Sequence, residues 1–190
     1  MSHTSQKPRG LRSDAERNRD RMLDAARTAF RELGAEAPMI EIARRAGLGT
    51  ATLYRRFPTR EDLLAAVFSD RLTGCDDSAR AALENPRPWD GLVEHITHLT
   101  SMQLEDRAFT AVFLYEFPPD SPVNSSRQAA GENLRQLLDA AKASGDLRGD
   151  VTAEDILVLL KAHDGVVRWA KDTEAESQRF IDRFLSGLHV

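Results

Sequence analysis

Apolar residues recur every three or four positions along most of this chain, which is the spacing of an amphipathic helix rather than of a strand. No segment shows sustained alternation of apolar and polar residues. The apolar stripes include Met22, Ala26, Ala29, Phe30 and Leu33, then Leu63, Leu64, Val67, Phe68 and Leu72, then Leu92, Val93, Ile96 and Leu99, and later Leu134, Leu137, Leu138 and Ala141. The pattern predicts an all-α protein of about nine helices.

Capping and breaking residues predict where these helices begin and end. A hydroxyl followed three residues later by an acid, the capping-box pattern, favours a helix start. This pattern occurs at Ser13, Thr59, Thr152 and Thr173. Gly34 ends the first helix, and proline clusters at 86–88 and 118–122 separate later ones. The last two helices are predicted over about 152–171 and 173–188.

The composition is that of an ordinary globular protein, with 41% hydrophobic and 29% charged residues. The longest purely apolar run, residues 63–68, is far shorter than the ~20 residues that span a bilayer. The first residues are polar and basic and lack the apolar core of a signal peptide. Cys75 is the only cysteine, so no intrachain disulfide is possible. We therefore expect a cytoplasmic protein.

Charge is distributed unevenly along the chain. Residues 1–60 carry 13 Lys and Arg against 7 Asp and Glu, whereas residues 61–190 carry 13 against 23. A basic first third attached to an acidic remainder favours binding of a polyanion at one end. Residues 1–12 are expected to form a disordered basic arm, which either lies along phosphates or remains a solvated tail.

The segment 38–64 contains the most informative pattern. Ile40, Ile42, Ala43 and Ala46 are expected to form the apolar face of a helix, with Pro38 at its first position and Gly47 ending it. Leu48, Leu53 and Phe57 are expected in the core, and Gly49 leads into a helix that exposes polar and basic side chains. Two helices joined by a short glycine-containing turn form a helix-turn-helix, whose second helix enters the DNA major groove.

This segment resembles the DNA-binding domain of the tetracycline-repressor (TetR) family. The resemblance covers roughly residues 13–72 and lies in Ile42-Ala43, Ala46-Gly47, Thr52-Leu53-Tyr54, Phe57, Arg60 and Leu63-Leu64. It implies a three-helix helix-turn-helix domain at 13–60, joined through helix 4 to a helical ligand-binding and dimerisation domain at 61–190. The chain departs from the family at 37–39, where Ala-Pro-Met stands in place of the usual threonine or serine.

The candidate DNA-binding residues lie on and around the second helix of this motif. Thr50, Thr52 and Arg55 are predicted to contact bases, since arginine can bond guanine and threonine methyls can pack on thymine methyls. Tyr54, Arg56 and Arg60 are predicted to hold phosphates, as the resemblance implies. A packing role for Tyr54 and a solvated role for the arginines remain alternatives. The full candidate set is Pro38, Met39, Gly49, Thr50, Ala51, Thr52, Tyr54, Arg55, Arg56 and Arg60.

The central helices are expected to enclose a small organic effector, as the resemblance implies. Aromatic walls with a few polar groups suit an amphipathic ligand, although ordinary core packing is the alternative for each residue. The candidate residues are Trp89, His98, Met102, Phe109, Phe113, Tyr115 and Arg135. The spacing of His95 and His98 could hold a metal, but no third ligand is evident in the sequence. We therefore expect no metal or cofactor.

One helix-turn-helix contacts only a few base pairs, so sequence specificity normally requires a two-fold dimer on a palindrome. The resemblance implies that the last two helices form the dimer interface, although their apolar stripes could face their own core instead. The candidate interface residues are Leu160, His163, Val167, Phe180, Phe184 and Leu188.

These patterns favour a dimeric repressor that a small amphipathic ligand releases from a palindromic operator in double-stranded DNA. A DNA-binding regulator without a small-molecule effector, whether protein-responsive or constitutive, and an activator both remain alternatives. The sequence contains no nucleophile elbow or phosphate-cradling glycine loop, so we do not expect an enzyme.

Overall fold

The computed structural model describes residues 9–110, 120 and 122–190, and this part of the chain is all-helical, as the sequence predicts. It contains eight α-helices and one 3-10 turn, Arg107–Phe109. The helices are α1 (Arg9–Leu33), α2 (Met39–Ala46), α3 (Thr50–Arg56), α4 (Arg60–Leu83), α5 (Pro88–Glu105), α6 (Pro122–Ala143), α7 (Ala153–Trp169) and α8 (Thr173–Leu188).

The chain divides into two compact units between Val67 and Phe68, inside α4 rather than before it. The first two turns of α4 belong to the first unit because they carry Leu63 and Leu64, whose side chains are fully buried. The sequence analysis placed its boundary at residue 60, at the start of the same helix, and that boundary stays a prediction. Within the described residues, no helix is both long enough and apolar enough to cross a membrane.

Helix starts follow the capping patterns at two of the four predicted positions. Thr59 and Asp62 exchange hydrogen bonds, with Thr59 N–H donating to Asp62 Oδ2 at 3.0 Å and Asp62 N–H donating to Thr59 Oγ1 at 3.1 Å. Thr152 and Asp155 form the same capping box. These reciprocal bonds satisfy amide donors that have no partner inside the helix.

The other two predicted starts are displaced. α1 begins at Arg9, so residues 9–12 of the predicted arm are helical, and Asp14 pairs with Arg17 inside the helix. α8 is capped by Asp172 instead of Thr173, because the Asp172 carboxylate accepts the Ala175 N–H at 3.2 Å. An ionised carboxylate is a stronger acceptor at a helix N-terminus than a hydroxyl, which explains the shift.

A buried polar network ties α5, α7 and α8 together within the second unit. Gln103 Nε2 donates to the Leu160 carbonyl at 3.1 Å and to the Thr110 hydroxyl at 3.2 Å. The Gln103 oxygen therefore faces His163 Nδ1 at 2.8 Å, and since a carbonyl oxygen only accepts, Nδ1 carries the proton. His163 Nε2 then accepts from the Ser177 hydroxyl at 2.7 Å. Burial lowers the pKa of His163, which favours this neutral form.

The seam between α4 and α5 is also closely packed. A Cβ atom on Gly91 would lie 2.3 Å from the Ala82 carbonyl oxygen, so only glycine permits this approach of the two backbones. The Ser78 hydroxyl lies 3.1 Å from His95 Nδ1, and Cys75 Sγ lies 3.7 Å from Met102 Sδ. Burial raises the pKa of the Cys75 thiol to about 12, so it is a core side chain and not a reactive thiolate.

The buried His95 makes the stability of the second unit depend on pH. Burial and, to a lesser extent, the neighbouring His98 lower the pKa of His95 from its ordinary 6.5 to about 4. Between these values the unfolded chain binds a proton that the folded protein does not, so the free energy of unfolding should fall as pH falls from 6.5 to about 4. His95→Gln should flatten this dependence, measured by denaturant unfolding at a series of pH values.

His189→Gln, which removes an exposed histidine, is the matched control and should leave the slope unchanged. Equal slopes for the wild type and His95→Gln would show that His95 does not set the pH dependence.

Candidate nucleic-acid interface

The turn between α2 and α3 is held by a left-handed glycine. Gly47 has φ 65° and ψ 34° and ends α2, as predicted. Its N–H donates to the Arg44 carbonyl at 3.1 Å, and the next N–H, that of Leu48, donates to the Ala43 carbonyl at 3.0 Å. These two bonds form a Schellman motif, which satisfies carbonyls at the end of α2. The chain then extends through Gly49 into α3, so the segment is a helix-turn-helix.

The buried side of α2 differs by one residue from the prediction. α2 begins at Met39 after Pro38, and its buried face consists of Met39, Ile42, Ala43 and Ala46. Ile40 is 67% exposed, so its predicted place on the buried face is wrong, whereas Met39, only 6% exposed, belongs to that face. The DNA contact of Met39 stays a prediction. Successive helical residues point about 100° apart, which carries Ile40 out of the buried face.

The outer side of α3 carries the candidate DNA contacts. Leu53 and the following Phe57 are buried, whereas Tyr54 is 47% exposed and Arg55 and Arg56 are exposed. Pro38, Gly49 and Ala51 are also exposed, Thr50 and Thr52 are half-buried, and Leu48 is half-buried instead of fully in the core. Because α3 is anchored by its buried leucine, its polar side chains point away from the core.

Arginines in this unit differ in whether a carboxylate neutralises them. Glu41 accepts two hydrogen bonds from Arg44, both at 2.7 Å, and one from Arg45 at 2.8 Å, while Arg45 also pairs with Glu32 at 2.6 Å. These arginines lower the pKa of Glu41 to about 2. Arg55 forms no hydrogen bond or ion pair within the described residues, so its charge remains available to an anion.

Arg60 is engaged inside the unit. Its Nη1 donates to the carbonyls of Ala35 and Ala37 at 2.9 and 2.6 Å, and the side chain is only half-exposed. Arg60 therefore links the start of α4 to the loop before α2. The sequence analysis predicted a phosphate contact for Arg60 but not this structural role. The carbonyls lie more than twenty residues away in sequence, so no local pattern could indicate this contact.

The candidate effector residues do not all meet at one place. Met102 and Phe109 are buried, with the Phe109 and Phe68 ring centres 5.6 Å apart. His98 is half-buried, and its Nε2 is buried without a hydrogen-bond partner in the described structure. Phe113 and Tyr115 lie outside the described residues.

Trp89 is half-buried and Arg135 is exposed. Trp89 lies in the first turn of α5, about 20 Å along the helix from Met102, and its ring meets that of His189 edge-on at 4.8 Å beside an open groove. Arg135 pairs with Glu132 at 3.0 Å. The effector contacts of these two residues stay predictions. Where the chain is described, no group of three metal-ligating side chains accompanies His95 and His98.

The candidate dimer residues divide between the core and the surface. Leu160, His163 and Val167 are buried in their own unit, and their role in a dimer interface stays a prediction. Phe180, Phe184 and Leu188 on α8 are half-buried. The opposite face of α7 exposes an apolar stripe that the sequence analysis missed, although its helical spacing was visible. This stripe consists of Val158, Ala162, Gly165 and Trp169.

Comparison with known proteins finds transcriptional regulators across both units. Residues 22–67 match the family of bacterial regulatory proteins described as tetR, and residues 87–190 match the C-terminal domain of SbtR-like transcriptional regulators. The HTH-type transcriptional regulator UidR of Escherichia coli (strain K12) is 27% identical over 186 residues, which cover 95% of this chain and 93% of UidR.

Solved structures give the same result. The TetR transcription regulatory protein from Mycobacterium vanbaalenii is 32% identical with a TM-score of 0.50, covering 95% of this chain and 99% of that one. RolR, solved in complex with resorcinol, is 25% identical with a TM-score of 0.58, covering 94% of this chain and 90% of that one.

Arg60→Ala should destabilise the first unit, because the Ala35 and Ala37 carbonyls lose their donor. We expect a loss of about 1–3 kcal/mol in the free energy of unfolding, measured with denaturant. Arg55→Ala, which removes an exposed and unpaired guanidinium, is the matched control and should leave stability unchanged. An Arg60→Ala variant of undiminished stability would contradict the structural role.

Proposed function

This chain belongs to the TetR family of bacterial regulatory proteins, and from that premise we propose that it is a dimeric repressor. It binds a palindromic operator in double-stranded DNA and is released by a small amphipathic ligand. It acts in the cytoplasm. The observation that carries this proposal is the outer face of α3, where unpaired Arg55 and exposed Tyr54 flank the buried Leu53.

The role that we propose for each side chain on α3 follows from its chemistry and its position. Arg55 contacts a base edge, because a free guanidinium can donate two hydrogen bonds to guanine. Thr50 and Thr52, near the N-terminus of α3, lie where a recognition helix meets base edges. Tyr54 and Arg56 hold phosphates, which position the protein without specifying sequence.

The dimer surface is formed by α7 and α8. The stripe defined by Val158, Ala162, Gly165 and Trp169 includes two large exposed apolar side chains, since Val158 is 56% and Trp169 85% exposed. Its small residues permit close approach of a second helix. Phe180 and Phe184 on α8 are half-buried, with ring centres 6.4 Å apart, and offer further apolar surface. An exposed apolar stripe of this kind marks an interaction site, and the occupant we propose is a second copy of the chain.

The effector is a small organic molecule that binds in the second unit. Support comes from RolR, whose solved complex contains resorcinol. Of the candidate residues, Met102 and Phe109 supply apolar surface, and the unpartnered His98 Nε2 could bond a ligand hydroxyl. Because α4 runs from the first unit into the second, a ligand that favours one tilt of α4 can change operator affinity, and DNA must then weaken ligand binding by the same factor.

A regulator without a small-molecule effector is the second candidate function. The ring contact between Phe68 and Phe109 and the contact between Cys75 and Met102 are ordinary core packing. Close packing at these two contacts favours control by another protein, or constitutive binding. The same DNA-binding face would also serve an activator.

The DNA-binding proposal is tested by incubating the protein with sheared genomic DNA and sequencing the retained fragments at low and physiological salt. We expect a few enriched fragments that share a palindrome. Arg55→Ala should weaken binding to those fragments by about 1–3 kcal/mol per contact and bind random DNA nearly as well as the wild type. Arg135→Ala, which removes the same charge from the second unit, is the control.

If all fragments were retained equally and were lost as the salt concentration rises, the protein would contact only phosphates. That result would contradict a sequence-specific repressor. An equal loss on enriched and random DNA for Arg55→Ala would contradict its contact with bases.

Trp169→Glu should convert the dimer to a monomer, because it replaces the largest exposed apolar side chain of the stripe with a charge. Sedimentation velocity over a range of concentrations measures the change. Ile40→Glu, at an exposed apolar position in the first unit, is the control and should remain dimeric. A Trp169→Glu variant with the sedimentation behaviour of the wild type would place the dimer surface elsewhere.

A further inference from the structure

Arg21 of α1 lies over the turn of the helix-turn-helix. A Cβ atom built on Gly47 would be 2.7 Å from Arg21 Nη2, so the guanidinium occupies the space that the glycine leaves open. Arg21 also lines an open groove between α1 and the last turn of α2. Gly47 therefore has two functions, since it adopts the left-handed turn and admits the arginine beside it.

The charge of Arg21 is not neutralised by its surroundings. Asp24, one turn away on α1, accepts from Arg27 at 3.0 Å. Glu32, further along α1, pairs with Arg45, and Glu41 of α2 pairs with Arg44 and Arg45. Arg21 itself is exposed and forms no hydrogen bond or ion pair within the described residues. Among these residues, the carboxylates near the turn are thus paired with other arginines and not with Arg21.

With α3 in the major groove, the Arg21 guanidinium beside the turn would lie near a DNA phosphate. Gly47 lies two residues before Gly49, the residue that caps α3. In a helix-turn-helix, the N-terminal residues of the second helix contact base edges, so the turn before them lies at the rim of the major groove. The phosphates line that rim, and arginine is well suited to bind them.

We propose that Arg21 is a phosphate-binding residue that extends the DNA interface from α3 onto α1. The assignment rests on the proposed function, because it requires that α3 enters the major groove. Arg21 contributes affinity and orientation but no sequence preference, since phosphates are the same at every base pair.

The experiment compares wild type, Arg21→Ala, Arg21→Lys and Arg27→Ala on an enriched genomic fragment and on a random duplex, over a series of salt concentrations. Arg21→Ala should weaken binding several-fold on both DNAs and reduce the slope of log affinity against log salt by about 0.9 for each bound subunit. Arg21→Lys should retain most of the slope, because a phosphate accepts either cation.

Arg27→Ala is the matched control on the same helix, because its charge is already paired with Asp24, and it should retain the wild-type slope. Thermal unfolding of Arg21→Ala should equal that of the wild type. An unchanged salt slope for Arg21→Ala, or an equal reduction for Arg27→Ala, would overturn the assignment while leaving the proposed function intact. Wild-type protein that retains no DNA at low salt would overturn both.

Discussion

The left-handed backbone at Gly47 is the constraint on which the arrangement of the first unit depends. The two hydrogen bonds of the Schellman motif end α2 there and direct the chain into α3. With this turn fixed, Leu53 and Phe57 enter the core, and Tyr54 and Arg55 are left on the outside. Any residue other than glycine would meet the cost of a positive φ, and the exposed Arg21 guanidinium would have to move aside. The left-handed turn is therefore what requires glycine at this position.

Pairing of charges separates structural arginines from those available to bind. The first sixty residues carry a strong excess of basic side chains, but composition alone treats them as equivalent. In the structure, Arg44 and Arg45 are occupied by Glu41, and Arg60 is occupied by two backbone carbonyls. The carboxylates of this unit thus neutralise part of its basic side chains, and among the described residues Arg21 and Arg55 are not paired with them. A few cations at fixed positions orient a protein on a polyanion better than a uniformly basic surface does.

The sequence predicted those features that depend on interactions between residues close together in the chain. Helical periodicity, the caps at Thr59 and Thr152, and the glycine turn depend on residues within a few positions of one another. The predictions that failed depended on distant partners. The one-residue shift that buries Met39 and exposes Ile40 is set by packing against other helices, and periodicity alone does not distinguish two adjacent apolar residues. His163 lies in an apolar stripe, but its buried hydrogen bond to Gln103, sixty residues away, cannot be predicted from the neighbouring sequence.

The two units differ in which titratable groups hold them together, and this has a consequence for cooperativity. In the first unit, Glu41 keeps its charge, and with it the bonds to α2 arginines, down to a pH of about 2. In the second unit, His95 is buried and neutral. Because it binds a proton more readily in the unfolded chain, the free energy of unfolding decreases as the pH falls below 6.5. Mild acid therefore weakens the second unit while the ion pairs of Glu41 in the first remain intact. Acid unfolding of this chain should then be a sequential process, for which a single midpoint and a single free energy have no defined meaning.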